Sequence, residues 1–594
     1  MKTTKNIARL AVTAGLTAAL SFGGVMAPVT MAFAEGVPTV AQSGNVKIEE
    51  SIYTDTTFKG IQIFKAKVTQ DKNGETWNGE KTLSDVEWAS DSVMSAVMGA
   101  FASTADSTRP SGTDAQEWAE WIKTKTEAEY TSGTDMNTKL DAGTTLDKIA
   151  KALEEANIAE GADGWNTSDN GEFTGLNAGY WLFVTASVSV DANDNGRNTD
   201  TFTSPIFAVV GGSDENVTPK KQVPTVTKAV KDDAEGATFG TDVFTNPNMS
   251  ADSRMDQFIE YQLAGTVASN INSYSTYKYS FTDSLPDSMT VECGEGNSPV
   301  VAVKIDGMSV KADPASGYTT SYSDNELTVS FADLKSCFDE KGQKISVSGS
   351  SIVTVEYKAK LDPAKIFGNG KIKEEFKGLV GKPQKNKVTL TYSNNPHAAD
   401  GTGTTVEHPA YDYTYGIDVT KVGSDEDETG KHKALEGVQF TLQEKNASEF
   451  IKADGTTTAT KDEAILTTDS NGKINVVGLD EGTYVLTEVT PAPGYNNSAA
   501  AGITFTITSD TLPTNGDDFN PACTLANGTD QQLVQVANAT DGKVHLTVTD
   551  QKGSTLPLTG LNGVTFTWIA GGAVLCIGVA HLIRSRKRDE GSEE

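Results

Sequence analysis

The sequence predicts a mainly β protein made of tandem antiparallel β-sandwiches, with helices added only near its start. Short alternating or β-branched runs recur along the chain, for example at 300–305 and 351–357. Turns rich in Gly, Asn, Asp and Ser separate these runs, and this spacing is typical of sandwich domains. Helical periodicity is confined to the first third of the chain, at 85–101, 116–129 and 145–156.

Length and charge limit the possible classes of function. The 594 residues allow about three or four domains of ~100–200 residues each. The formal net charge is −31, so the phosphates of a nucleic acid would repel the chain, and this argues against a nucleic-acid partner. An acidic surface suits a soluble, self-repelling ectodomain.

The first 34 residues have the organisation of a secretory signal peptide. A basic head with Lys2, Lys5 and Arg9 precedes an apolar run at 10–25, and an Ala-Phe-Ala step follows. This pattern predicts export and cleavage before Glu35. The alternative is a permanent N-terminal membrane anchor, which is disfavoured because serine and glycines interrupt the short apolar run.

The C-terminus combines three signals. An apolar segment at 564–583 is long enough to cross a bilayer, and the basic cluster at 584–588 would hold the tail on the cytoplasmic side. Alone, these two features predict a membrane-anchored protein. Directly before them stands a pentapeptide that resembles the LPxTG sorting signal of Gram-positive surface proteins: Leu556, Pro557, Leu558, Thr559 and Gly560. Sortases cut this signal between Thr and Gly and transfer the threonine carbonyl to an amine, so we expect covalent attachment outside the cell.

Two polar, proline-containing stretches divide the mature chain. They lie near 218–224 and 408–410 and predict three domains, at 35–220, 221–410 and 411–553, before the sorting region at 556–594. The first domain carries the helices. The later two open alike, with Val-Thr-Lys at 226–228 and again at 419–421.

The mature chain contains three cysteines, Cys293, Cys337 and Cys523. Because disulfides persist outside the cell, we expect Cys293 to pair with Cys337 inside the middle domain. Cys523 would then be an unpaired thiol. The spacing also permits a bridge from Cys523 to either of the other two.

No motif for substrate turnover is present. The chain has no CxxC, HExxH or Gly-rich phosphate loop, so the sequence predicts neither an enzyme nor a metal or cofactor site. The segment 191–196 begins like a calcium loop, but Phe202 occupies the position that needs a bidentate Glu, and a polar hairpin turn is the preferred interpretation. The histidines of the mature chain are expected at the surface: His397, His408, His432 and His545.

Two further segments carry a family resemblance. The segment 484–495, YVLTEVTPAPGY, resembles the E-box of Gram-positive pilins, and the segment 386–396 resembles the final strand of the middle domain of major pilins. The resemblance implies a backbone subunit of a sortase-assembled pilus, or fimbria. It also implies immunoglobulin-like, collagen-adhesin-type sandwiches, with a B-type domain at the C-terminus, that hold Lys–Asn or Lys–Asp isopeptide bonds.

The resemblance assigns the residues of a first crosslink. In the middle domain, Lys228 on the first strand is the nucleophile and Asn386 on the last strand is the electrophile, with Asp283 as the promoting acid. Burial disfavours the charged forms of both lysine and aspartate. A neutral amine can then attack the amide carbon while the neutral acid polarises its carbonyl.

A second crosslink is implied in the C-terminal domain. Lys421 and the acid Glu488 match the family pattern, but Asp550 stands where the family has an asparagine. An aspartate can serve, with water lost in place of ammonia. Asn538 is the alternative partner for Lys421.

Polymerisation requires an acceptor amine near the end of the first domain. The family motif ends in Tyr-Pro-Lys, and this chain has Thr-Pro-Lys-Lys at 218–221, so Lys220 is the expected acceptor and Lys221 the alternative. A plain basic linker is the competing interpretation of this segment.

The sequence therefore predicts a pilus subunit joined head to tail through Thr559 and Lys220. The implied partners are a class C pilus sortase, a housekeeping sortase, identical subunits, ancillary pilins and peptidoglycan, together with a possible host ligand. The competing hypothesis is a monomeric or ancillary wall-anchored adhesin, which the altered acceptor motif leaves open. A secreted enzyme is disfavoured because no nucleophile or metal motif was found.

Overall fold

The computed structural model describes residues 36–49, 55–129, 138–188, 196–219, 221–509, 511–537 and 541–553. Outside these residues lie the signal peptide, the start of the calcium-like segment, Lys220, Asn538 and the whole sorting region from 554 onward. The described chain consists mostly of β-sheets with few helices, so the predicted fold class is confirmed. No helix within the described ranges has the length and apolarity needed to cross a bilayer.

The first region contains a six-stranded and a three-stranded sheet. Its strands are Val37–Ala41, Ser43–Ile48, Thr57–Asn73, Thr76–Trp88, Asn166–Ser168, Glu172–Asn177, Gly179–Ser187, Ile206–Val210 and Glu215–Val217. Thr57–Asn73 is the central strand, because four others pair with it. Its hairpin to Thr76–Trp88 turns at Gly74, whose φ of 61° favours glycine.

The described residues of this region include three α-helices, Asp91–Ala100, Ala115–Ala128 and Thr145–Glu155, with a 3-10 turn at Thr138–Leu140. The start predicted at 85 for the first helix is wrong. Residues up to Trp88 continue the preceding strand, and Ser90 caps the helix by accepting a hydrogen bond from the backbone of Val93.

The middle region forms two larger sheets, of six and seven strands, that share one hydrophobic core. Its strands are Val226–Lys231, Gly240–Asp242, Asn246–Pro247, Ser250–Asp252, Ile259–Thr266, Tyr279–Ser284, Met289–Val291, Val301–Ile305, Met308–Ser309, Thr319–Ser323, Glu326–Phe331, Ile352–Leu361, Phe367–Gly368, Lys371–Ile372, Gln384–Ser393, Thr402–Thr404 and His408–Tyr413. The sequence analysis predicted helices only in the first third of the chain. This is wrong, because a short α-helix lies in the middle region at Pro363–Ile366. 3-10 turns are at Ile271–Ser273, Glu295–Asn297, Leu334–Ser336 and Glu374–Phe376.

The last region forms a five-stranded and a seven-stranded sheet around a second core. Its strands are Tyr415–Glu426, His432–Ala434, Gln439–Glu444, Phe450–Ile451, Thr457–Thr458, Leu466–Thr467, Lys473–Leu479, Gly482–Thr490, Ile503–Thr508, Ala522–Leu525, Val534–Ala537 and Lys543–Asp550, with a 3-10 turn at Lys461–Ala464. The first and last of these strands lie side by side and run parallel, with Lys421 opposite Val548.

Hydrogen bonds and charges join the first region to the middle one. The backbone N–H of Phe202 donates to the carbonyl of Asn394 at 2.7 Å. The predicted surface position of His397 is wrong: its side chain is only 9% exposed and contacts both Asp147 and Glu154. Because those acids lie on the helix Thr145–Glu155, the histidine connects the two regions through charge.

Candidate crosslink sites

The structure brings Lys228, Asp283 and Asn386 together between the two sheets of the middle region, and all three are fully buried. Lys228 lies on the end strand of the six-stranded sheet. Asp283 and Asn386 lie on neighbouring antiparallel strands of the facing sheet, at inward positions of the alternating pattern. The lysine Nζ contacts Asp283 Oδ1 directly.

The sequence analysis placed Asn386 on the last strand of the middle domain, and this prediction is wrong. Thr402–Thr404 and His408–Tyr413 follow that strand and pair with it, and Asn386 lies opposite Ala410. His408, expected at the surface, is half-buried here, and its Nδ1 accepts a hydrogen bond from the backbone N–H of Lys228 at 3.0 Å.

Tyr357 is a central member of this site that the sequence analysis missed. Its hydroxyl lies 2.8 Å from Lys228 Nζ and 2.8 Å from Asn386 Nδ2, and it contacts Asp283 Oδ2. The sequence offered one indication of this residue, its inward position on an alternating strand. Many aromatic residues that only fill the core occupy the same kind of position. The ring of Tyr357 stacks on Tyr261 with centroids 5.4 Å apart.

Burial sets the charge state of this site. It lowers the pKa of Lys228 to about 8, although the nearby Asp283 favours the charged amine. Burial also raises the pKa of Asp283 above its ordinary value, against the attraction of Lys228 and the hydrogen bonds from Lys228 and Tyr357. Both shifts move the pair toward its neutral form.

The structure also brings Lys421, Glu488 and Asp550 together in the last region, and their side chains are fully buried. Lys421 and Asp550 lie on the two parallel neighbouring strands, whereas Glu488 projects from Gly482–Thr490 in the other sheet. The Nζ of Lys421 is 3.1 Å from Glu488 Oε2 and 2.5 Å from Asp550 Oδ1.

Burial sets the protonation of Glu488 in this second site, and a hydrogen bond from Ser498 orients Asp550. Burial raises the pKa of Glu488 to about 7, against the attraction of Lys421. The hydroxyl of Ser498 donates to Asp550 Oδ1 at 2.5 Å and also contacts the carbonyl of Thr549 at 2.9 Å. Ser498, which the sequence analysis did not single out, therefore fixes the rotamer of Asp550.

Lys220 and Lys221 are the two lysines predicted as acceptors. Lys220 lies outside the described residues. The side chain of Lys221 is 6% exposed and its Nζ lies 2.5 Å from the buried carboxylate of Asp200. An ion-paired, buried amine is poorly placed to enter the active site of another protein.

The predicted disulfide between Cys293 and Cys337 is not formed, because all three cysteines in the described part of the chain are free thiols. Cys337 is packed in the core, with its Sγ directed to the carbonyl of Asp333 at 4.0 Å. Cys293 is only partly buried and pairs through its backbone with Pro299.

The family of SpaA prealbumin-like fold domains matches residues 417–518. No curated protein matches the chain.

Among solved structures, three similar chains are described as pilins. The T6 backbone pilin of serotype M6 Streptococcus pyogenes is 16% identical, over 87% of this chain and 99% of that one, with a TM-score of 0.45. The full-length major pilin SpaD of Corynebacterium diphtheriae is 14% identical, over 86% and 98%, with a TM-score of 0.39. The pilus 2b backbone protein of group B streptococcus is 20% identical, over 52% and 97%, with a TM-score of 0.34.

The matched residues 417–518 include Lys421, Glu488 and the E-box segment that carried the sequence resemblance. Residues 417–518 therefore match the family of SpaA prealbumin-like fold domains, in agreement with the resemblance that the E-box segment carries.

Proposed function

We propose that the chain is the structural subunit of a covalent surface pilus and that its domains are closed by internal isopeptide bonds. The observation that carries this proposal is the pair of fully buried lysines, Lys228 and Lys421, each in contact with buried acids. Burying an unreacted ion pair is costly, since each ion loses its hydration. An amide bond removes both charges and keeps the two strands joined.

In the middle region the reaction joins Lys228 to Asn386. The amine attacks the side-chain amide carbon, and ammonia leaves. Asp283, held beside the amine and shifted toward its neutral form, supplies the promoting acid. The new bond would connect the two sheets of the sandwich, because its ends lie on different sheets.

In the last region the reaction joins Lys421 to Asp550, and water leaves. Glu488 is the promoting acid, and its pKa of about 7 allows it to hold a proton near neutral pH. Asp550 Oδ2 and Glu488 Oε1 are buried without a hydrogen-bond partner in the described residues. Burying an oxygen without a hydrogen bond costs free energy. Formation of the amide, with a protonated acid beside it to donate a hydrogen bond, would remove this cost.

Polymerisation would follow from the sorting signal. A class C pilus sortase would cut after Thr559 and join its carbonyl to Lys220 of the next copy, and a housekeeping sortase would join the last subunit to peptidoglycan. The buried ion pair of Lys221 with Asp200 supports Lys220 as the acceptor. In this proposal three domains, 35–220, 221–410 and 411–553, form the extracellular shaft, with ancillary pilins and a possible host ligand as further partners.

The competing proposal is a monomeric wall-anchored adhesin. One observation favours it: the acceptor segment has threonine at Thr218 where the family motif has tyrosine. The test is an SDS extract of cell walls from a host with both sortases. A ladder of high-mass species that is lost in Thr559→Ala supports the polymer, whereas a single wall-linked band supports the monomeric adhesin.

Intact-mass measurement tests the internal bonds independently of assembly. The folded ectodomain is expected to lack the mass of one ammonia and one water relative to its sequence. Lys231→Ala, on the same strand as Lys228 but partly exposed, is the matched control and should retain both losses. A chain with its full sequence mass would remove both crosslinks from the proposal.

A further inference from the structure

A continuous path of hydrogen bonds leads from the nucleophile to the leaving group in the middle site. Lys228 Nζ contacts Asp283 Oδ1, Asp283 Oδ2 contacts the hydroxyl of Tyr357, and that hydroxyl lies 2.8 Å from Asn386 Nδ2. All four side chains are buried, with Tyr357 only 3% exposed. Bulk water is therefore excluded as the carrier of protons between these atoms.

We propose that Tyr357 is a catalytic residue of this crosslink, which passes a proton from Asp283 to the departing nitrogen of Asn386. The proposal rests on the Lys228–Asn386 bond of the proposed function and adds to it the route of the proton. An amide nitrogen is a poor leaving group until it is protonated, so the reaction needs an acid at this atom. Tyr357 is the residue whose hydroxyl is in contact with both Asp283 and Nδ2.

Neutral Lys228 and protonated Asp283 are the starting forms, and the bond from Nζ to the Asn386 amide carbon forms first. The tetrahedral carbon leaves Nδ2 with a free lone pair, so this nitrogen, which donates to the Tyr357 hydroxyl before the reaction, can then accept a proton. Nζ gives one proton to Asp283 Oδ1, Asp283 gives the proton on Oδ2 to Tyr357, and Tyr357 gives its own proton to Nδ2. The bond between the carbon and Nδ2 breaks and ammonia leaves. Asp283 and Tyr357 end in the protonation states in which they began.

The surroundings hold the tyrosine in this role. Its ring is fixed by stacking on Tyr261, with an interplanar angle of 14°. Burial raises its pKa well above the ordinary value, with Asp283 adding to the effect, so the hydroxyl retains its proton until it is used. Asn386 Oδ1 has no hydrogen-bond partner among the described residues. Tyr357 therefore contacts the side-chain amide of Asn386 at its nitrogen, the atom that leaves.

The experiment follows the loss of ammonia during refolding. The full chain is isolated unfolded in guanidinium chloride, diluted into buffer with a mild detergent, quenched in acid at intervals and digested, and the Lys228 peptides are weighed. We expect Tyr357→Phe to slow the crosslink by roughly a hundredfold, the lower range for a positioned acid. The control is Tyr279→Phe in the same core, whose hydroxyl contacts only the carbonyl of Thr266, at 2.9 Å, among the contacts described.

The possible results test the Lys228–Asn386 bond and the proton relay through Tyr357 separately. A wild-type chain that never loses ammonia overturns the Lys228–Asn386 bond itself. A wild-type chain that reacts, with Tyr357→Phe reacting at the same rate, leaves the bond in place and overturns the relay.

A second variant covers the case in which Tyr357→Phe does not fold. Incorporation of 3-fluorotyrosine in place of Tyr357 keeps the ring and the hydroxyl but makes the hydroxyl a stronger acid. The relay predicts a rate that rises by roughly a few fold, since proton donation follows acidity. An unchanged or lower rate would contradict it, because a purely structural hydroxyl would not respond to its acidity in this way.

Discussion

Glu488 and Asp550 approach the same amine from two different sheets, with Lys421 Nζ 3.1 Å from Glu488 Oε2 and 2.5 Å from Asp550 Oδ1. One lysine thus has two candidate carbonyl partners, and the strands decide between them. Asp550 lies on the strand next to that of Lys421, and Ser498 fixes its orientation. Glu488 has the raised pKa that a promoting acid needs.

The first prediction concerns Glu488. Changing Glu488→Gln removes the proton donor but keeps the shape, so the water loss between Lys421 and Asp550 should be abolished or slowed at least ~100-fold. Peptide mass mapping measures this, with Glu436→Gln as the exposed control on the same domain. If Lys421 remained bonded to Asp550 at the wild-type rate, Glu488 would have no role as an acid.

The second prediction concerns the stability of the middle domain. Asn386→Ala cannot form the crosslink, and by the loop-closure argument it should lose about 5 kcal/mol of the free energy of unfolding. For a domain of this size the melting temperature should fall by roughly 10–20 °C. Scanning calorimetry measures the change. The same fall for Lys387→Ala, at a partly exposed neighbouring position, would show that the loss is not specific to the crosslink.

The third prediction is a pH dependence at the first junction. Although burial of His397 opposes its charging, hydrogen bonds from its ring to Asp147 and Glu154 raise its pKa to about 9. A raised folded-state pKa means that the stabilisation is complete below the unfolded value of about 6.5 and is lost as the pH rises through about 9. Its size is at most about 3 kcal/mol.

Thermal unfolding at pH 6 and pH 9.5 tests this dependence. His397→Gln should lower stability at pH 6 and remove most of the difference between the two pH values. The exposed His432→Gln is the control and should retain the wild-type difference. A pH dependence that survives in His397→Gln would assign it to another group.

The fourth prediction separates the two candidate acceptors. Lys220→Ala should abolish the ladder of sortase products, whereas Lys221→Ala should retain it, because Lys221 is buried against Asp200. Loss of that ion pair should instead lower the melting temperature of the chain. A ladder lost in Lys221→Ala and kept in Lys220→Ala would reverse the assignment.

The fifth prediction concerns the thiols. In the folded chain, iodoacetamide should label Cys293, which is only partly buried, far faster than Cys337. Burial raises the pKa of both Cys337 and Cys523 to about 12, which lowers their thiolate fractions and should slow the labelling of both. Peptide mapping without reduction measures labelling, and a peptide containing linked Cys293 and Cys337 would contradict the structure.

The sequence was most informative where chemistry repeats in a local context. Lys228 and Lys421 open similar strands, and their acids follow in recognisable segments, so the members of both sites could be chosen before their distances were known. Tyr357 could not, because its role depends on which strand faces which across the sandwich. An inward aromatic on an alternating strand has the same pattern whether it fills the core or contacts a reacting group.

Other errors have physical reasons of the same kind. Residues 85–88 have a pattern compatible with a helix, but Glu87 and Trp88 pair with the long strand Thr57–Asn73, and Asp85 lies at a shift in register with a φ of 54°. The cysteines were paired by proximity in sequence, whereas the fold packs Cys337 into the core and leaves Cys293 near the surface. His397 is drawn inward by two acids that lie more than two hundred residues earlier.

The parallel pairing of Tyr415–Glu426 with Lys543–Asp550 has a mechanical consequence. Since the two strands point the same way, the chain enters the last domain at one pole and leaves it at the opposite pole. A pull on the two ends therefore loads the ladder lengthwise, so its hydrogen bonds resist together and do not open one after another as in a zipper. A Lys421–Asp550 bond would lie almost at the exit point, and most of the domain would then carry no load at all.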